Sequence, residues 1–130
     1  MKKFTVIYDI KAHNTLWTEG KYVEAESPAD AKIMVKKQVK AETGRHTFDL
    51  VAKAYEDGLT WEALNWETII NRNTNALKDT KKNLEEYGGE FWAESVLRDE
   101  ERIAKNIENA IAAGMTVTNY KNGRYCVRQH

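Results

Sequence analysis

Phe4-Thr5-Val6-Ile7-Tyr8-Asp9-Ile10, leading through Gly20 to Tyr22-Val23-Glu24-Ala25-Glu26-Ser27-Pro28, decides how this chain begins to fold. Phe4, Val6, Tyr8 and Ile10 alternate, which places them on one face of a strand. Val23 and Ala25 form the inward set of a second strand, with Glu24 and Glu26 outward. The connection from Lys11 to Gly20 is longer than a tight hairpin and reads as a loop carrying Trp17. Ser27 then stands at a helix N-cap. Pro28 takes the first helical position, where a missing N–H costs nothing, and Asp30 lies at the third, close to a capping box. Ala31, Met34, Val35 and Gln38 to Val39 make the apolar stripe of this helix, and Lys32, Lys36, Lys37 and Lys40 occupy the rest.

Gly44 ends that helix. A short helix is expected next, with Phe48, Val51, Ala52 and Tyr55 at i, i+3, i+4 and i+7, closed by Asp57-Gly58. Thr60 is a plausible N-cap for the following segment. Residues 61–87 read as one long helix, or as two with a break near 71–75. Ile70, Leu77 and Leu84 repeat every seven residues, as do Trp66, Asn73, Thr80 and Tyr87, a narrow seam with two polar members. Gly88-Gly89 breaks the pattern. A second long helix runs from about Glu90 to Ala113, with Trp92, Val96, Ile103, Ile107, Ala110 and Ile111 on one side and Gly114 as its C-cap. Two long helices joined by Gly-Gly are expected to pack antiparallel. Met115–Tyr120 and Arg124–Arg128 flank Asn122-Gly123, a strong hairpin signal.

Helices bracketed by strands at both ends give an α+β class. The economical arrangement is one antiparallel sheet built from the N-terminal and C-terminal β-hairpins, with a central long helix hairpin. At 130 residues a single domain, 1–130, is expected.

Twenty basic and twenty acidic residues cancel, so no overall field points to nucleic acid or to an anionic membrane. The one cysteine, Cys126, excludes an internal disulfide framework and suggests a reducing, cytoplasmic setting. No apolar run approaches the roughly 20 residues of a spanning helix, so no membrane partner is expected. His13, His46 and His130 lie far apart and lack metal-ligand spacing. No phosphate loop or nucleophile arrangement is present, and neither a catalytic residue nor a cofactor is expected. The carboxylate runs have helical spacing to Arg98, Arg102 and Lys105 and read as a solvated, ion-paired face.

Two surfaces remain as candidate sites. The first is for a protein partner. Residues 90–114 hold three basic and six acidic side chains, a balance of −3. Glu94, Asp99, Glu101 and Glu108 are the acidic positions to test, as a face offered to a basic groove. Trp17 and Trp66 join them as aromatic candidates, since tryptophan is enriched in interface hot spots. Trp61 and Trp66 are five apart and cannot share one stripe. The second surface is for nucleic acid. Residues 115–130 hold Lys121, Arg124 and Arg128 and no acid, a balance of +3. With Tyr120 beside them, these suit phosphate contact and base stacking, with Lys32, Lys36 and Lys40 as additional contacts. An edge hairpin blunted by Lys and Arg against aggregation accounts for the same residues. The 61–113 hairpin also permits a homodimer, because its seam can pair between chains.

Tyr22-Val23-Glu24-Ala25-Glu26-Ser27-Pro28-Ala29-Asp30-Ala31 resembles a phrase found in many small accessory proteins of bacteriophages and mobile elements, in which a hairpin ending in V-E-A-E-S-x-x-x-A feeds the first helix. The resemblance spans about a third of the chain and carries no site residues. It implies a small non-enzymatic protein that binds a host or phage protein. Inhibitors of host defence nucleases of the anti-CRISPR type are one such group. A nucleic-acid-binding regulator using the C-terminal hairpin is the alternative.

Overall fold

β1 (Lys2–Ala12) and β2 (Thr15–Ala25) form a hairpin tighter than the sequence implies. The computed structural model describes residues 1–130 and pairs Ala12 with Thr15, leaving only His13 and Asn14 in the turn. Both have positive φ, 50° and 65°. Histidine and asparagine enter this left-handed region more readily than most residues, and positive φ at both central positions suits the twist of a hairpin. The loop expected over residues 11–20 is therefore strand, and Trp17 lies in β2 opposite Ile10.

α1 (Pro28–Thr43) follows, and then β3 (Thr47–Ala54), which stands where a short helix was expected. β3 pairs antiparallel with the free side of β1, giving the order β2-β1-β3. Tertiary pairing overrides the helical spacing of Phe48, Val51, Ala52 and Tyr55. As a strand, the segment sends Leu50 and Ala52 to one face of the sheet and Val51 to the other. Between Ile7 and Asp9 the register shifts, and Asp49 has φ 49°, which marks a β-bulge. β1 is the central strand and is covered on both faces, so Phe4 to Tyr8 are all buried. The alternation read in β1 is the alternation between two cores.

α1 builds the first core. Ala31, Val35 and Val39 pack on Phe4, Val6, Tyr8, Ile10 and Val23, and each fully buried Val or Ile contributes about 1.5–3 kcal/mol. Its ends are those read from sequence. The Asp30 N–H donates to Ser27 Oγ (3.1 Å), and the Gly44 N–H donates to the Lys40 carbonyl (2.9 Å). Leu59, Leu64 and Trp61 cover the other face of the sheet, around Ile7. Thr5 Oγ1 donates to the Leu59 carbonyl (2.9 Å), and the Trp61 N–H donates to Tyr22 Oη (3.0 Å). A Cβ placed on Gly20 would collide with Trp61 Cβ. Only glycine lets the root of this tryptophan lie against β2.

The chain divides into two compact units, 1–65 and 66–130, and the division falls within α2 (Trp61–Tyr87). α2 is one unbroken helix, capped where the Ala63 N–H donates to Thr60 Oγ1 (3.2 Å). After Gly88-Gly89 comes α3 (Glu90–Ala112), and the two make a helix hairpin. Thr80 Oγ1 donates to Asp99 Oδ2 (2.7 Å), and the Tyr87 and Trp92 rings stack at 6.5 Å. α3 ends in a Schellman motif. The Met115 N–H donates to the Ala110 carbonyl and the Gly114 N–H to that of Ile111, with Gly114 at φ 92°.

β4 (Thr116–Asn119) and β5 (Tyr125–Arg128) form the second hairpin. Its turn is a three-residue loop, since the Gly123 N–H donates to the Tyr120 carbonyl and the Tyr120 N–H to that of Arg124. The α+β class holds, but the two hairpins do not share a sheet. They form separate sheets of three and two strands. The outer edge of β5 is already occupied by α2. The Tyr125 N–H donates to Asn71 Oδ1, Asn71 Nδ2 donates to the Tyr125 carbonyl (both 2.9 Å), and the Val127 N–H donates to Glu67 Oε1 (3.0 Å). Residues 67 and 71, one turn apart on α2, take the place of a pairing strand. No helix is long and apolar enough to cross a membrane.

Candidate functional site

The groove on unit 66–130 combines apolar surface with three basic side chains that stand in no ion pair, and Glu100 lines it with them. Beside Asn75, α2 contributes the set Thr74, Leu77, Lys78 and Lys81, and α3 contributes the set Glu100, Ile103, Ala104 and Ile107. Each set has the spacing i, i+3, i+4, i+7, so each is one stripe of its helix. Asn122 to Tyr125, at the tip of the β4–β5 hairpin, close one end. The space enclosed is about 590 Å³, within the range of ligand pockets. Leu77, Ile103 and Ile107 give an apolar floor. Lys78, Lys81 and Arg124 stand on the rim, exposed and outside every ion pair. On the α3 side the apolar surface continues past the groove. Leu97, Ala104 and Ile111 fall seven apart on one line, with Leu97 61% and Ile111 56% exposed. That line is roughly 20 Å long at the helical rise.

The acidic positions separate. Glu94, Glu101 and Glu108 are seven apart on the solvent side of α3, and all are exposed. Arg98 and Lys105 follow the first two at i+4, where opposite charges offset one another. Asp99 leaves this line. It is half-buried, accepts from Thr80 and lies 3.8 Å from Arg102. The tryptophans also part. Trp17 is half-buried against the first core, donates from Nε1 to Glu19 Oε1 (2.9 Å) and has Arg45 over its ring at 5.9 Å. Trp66 is half-buried in α2.

Among the basic candidates, Tyr120, Lys121 and Arg124 are exposed at the hairpin tip. Arg128 turns inward and pairs with Glu67 at 2.8 Å, the two side chains being 13% and 8% exposed. It holds β5 to α2. Cys126 is half-buried in β5. No three of the His, Cys, Asp and Glu side chains gather as a metal cluster would.

A titration that moves strongly belongs to unit 1–65. The Tyr8 hydroxyl is pushed up to about 12, first by burial and then by the Glu19 carboxylate, to which it donates at 3.3 Å. Glu19 accepts from both Tyr8 and Trp17, so this group is a structural clasp between β1 and β2.

Sequence reasoning found Arg124 but not Lys78, Lys81 or the stripe they border. The signal was present in the matching helical spacing of 74–81 and 100–107, but it needed the pairing of the two helices to become a site. Comparison of the chain with protein-family models, with curated proteins and with solved structures finds no match.

Proposed function

We propose that this chain acts in the cytoplasm by binding another protein, without catalysing a reaction, and that the groove of unit 66–130 is where it binds. The reading is carried by the exposed line Leu97, Ala104 and Ile111 running beside three unpaired cations. A surface of this kind fits an amphipathic helix whose apolar residues lie on the floor and whose acidic residues meet Lys78, Lys81 and Arg124. Small accessory proteins of phages and mobile elements, to which the opening of the chain bears a resemblance, often act in this stoichiometric way. Inhibition of a host defence nuclease is one form of it. The acidic line Glu94, Glu101 and Glu108 supports this less, because cations interleave it.

One observation favours nucleic acid as the second reading. Lys78, Lys81, Arg124 and Lys121 lie in or beside one groove, next to Tyr125. Affinity capture with nuclease treatment separates the two, using the wild-type chain, Lys78→Glu/Arg124→Glu and Leu97→Glu/Ile111→Glu. The protein-binding reading expects one stoichiometric protein that survives nuclease and weakens at least about tenfold in both double variants. Capture lost with nuclease, steeply salt-dependent and indifferent to Leu97→Glu/Ile111→Glu, would replace it with the nucleic-acid reading.

A further inference from the structure

β3 is an edge strand of the three-stranded sheet, and its outer side is open. The Tyr55 N–H donates to the Lys3 carbonyl, and Lys53 and Val51 stand opposite Thr5 and Ile7. By the alternation of antiparallel pairing, residues 51, 53 and 55 turn their backbone groups toward β1. Leu50, Ala52 and Ala54 turn theirs away, and these have no backbone partner. Such a row is a template for another strand unless something blunts it. Two of its three side chains are alanine, and the bulge at Asp49 limits the regular row to these three residues.

Beside this edge lies a depression between α1 and β3. Pro28, Ala29, Lys32, Ile33, Lys36 and Leu50 line it. Ile33 is 53% exposed there, an apolar side chain set between lysines at i−1 and i+3. Neither Lys32 nor Lys36 is in an ion pair. Side chains of an added strand on the α1 face of the sheet would enter this depression.

We propose that β3 takes up an extended segment of a partner protein as a fourth strand of the sheet. Backbone hydrogen bonds form to Leu50, Ala52 and Ala54. Apolar side chains of the segment rest on Ile33 and Leu50, and carboxylates beside them meet Lys32 and Lys36. The occupant is an acidic, alternating strand, the pattern by which strand addition gains specificity from every second side chain. A second copy of this chain fits poorly. Pairing β3 with β3 about a twofold axis would bring two sets of Lys32 and Lys36 to one joint, where like charges repel. This surface lies on unit 1–65, so it stands independently of the groove on unit 66–130.

The test is NMR of the full chain, titrated with a synthetic ten-residue peptide alternating valine and glutamate and with its valine–lysine counterpart. The expected result is slowed amide exchange at Leu50, Ala52 and Ala54 with the acidic peptide alone. Ala52→Pro should abolish it, and Lys32→Glu/Lys36→Glu should weaken it about tenfold or more. Proline at residue 52 removes an N–H that β1 does not use, and circular dichroism should report an unchanged fold. The lysine pair is exposed, so its reversal tests the same surface without touching β3. Equal binding of both peptides, protection elsewhere than β3, or binding indifferent to both variants would overturn the proposal. So would protection of the β3 edge that grows with protein concentration in the absence of peptide.

Discussion

β5 and β3 each expose a row of backbone groups on the side away from their partner strand, and only β5 has that row answered. Asn71 and Glu67 supply an acceptor for the Tyr125 N–H, a donor for the Tyr125 carbonyl and an acceptor for the Val127 N–H. β3 has Ala52 and Ala54 at the corresponding positions and no helix side chain reaching them. The difference reflects what each sheet can bury. A two-stranded ribbon is marginal alone, so β4–β5 needs α2 against it. The three-stranded sheet has a core on each face and stands without a strand or helix side chain pairing the outer side of β3.

The largest effect expected from this comparison is at Glu67. Glu67→Ala removes the acceptor of the Val127 N–H and the carboxylate 2.8 Å from Arg128 in a nearly buried position. Breaking such a pair costs about 3–5 kcal/mol, read as a lowered denaturation midpoint in urea. A cost below about 1 kcal/mol, the range of an exposed pair, would show that α2 does not hold β5.

Gly20→Ala probes the first unit's reliance on close packing. Its Cβ would meet the base of the Trp61 side chain, which cannot swing aside as the end of a lysine would. Overpacking of this kind costs about 1–3 kcal/mol, and Trp61 fluorescence should shift as the ring is displaced. An unchanged midpoint and spectrum would mean that Trp61 does not rest on β2.

Tyr8 gives a pH response from the same unit. Its hydroxyl is raised to about 12 in the folded chain, against about 10 unfolded. Above pH 10 the unfolded chain loses this proton first, so stability is full below pH 10 and falls between pH 10 and 12. The loss is about 3 kcal/mol. Tyr8→Phe should remove that part of the slope, and thermal melts across this range would show it. The smallest effect is at the open edge. Ala52→Pro should change stability by less than about 1 kcal/mol, since no ladder hydrogen bond is lost. A larger loss would mean that the outer side of β3 is in use.

Local chemistry was the legible part of this chain. Ser27, Pro28, Gly44, Thr60 and Gly114 act on neighbours within four residues, and both ends of α1, the start of α2 and the end of α3 fell where they placed them. The class followed from them. What escaped was set by distant partners. His13-Asn14 carries no glycine, so the tight turn was invisible until strand pairing forced positive φ on it. Phe48 to Tyr55 has helical spacing but becomes a strand because β1 has a free edge to pair with. The separation of the two hairpins into two sheets depends on Asn71 and Glu67, polar residues that look like an ordinary helix surface until β5 lies against them. The groove escaped for the same reason. Of its rim cations only Arg124 was flagged in advance, whereas Arg128, flagged with it, is drawn inside by Glu67.

Amide hydrogen exchange of the free protein, resolved residue by residue, tests the contrast between the two edges most directly. Slow exchange at Tyr125 and Val127, with fast exchange at Leu50, Ala52 and Ala54, is the predicted result. Equal protection of both edges, or a protected β3 beside an exchanging β5, would contradict it.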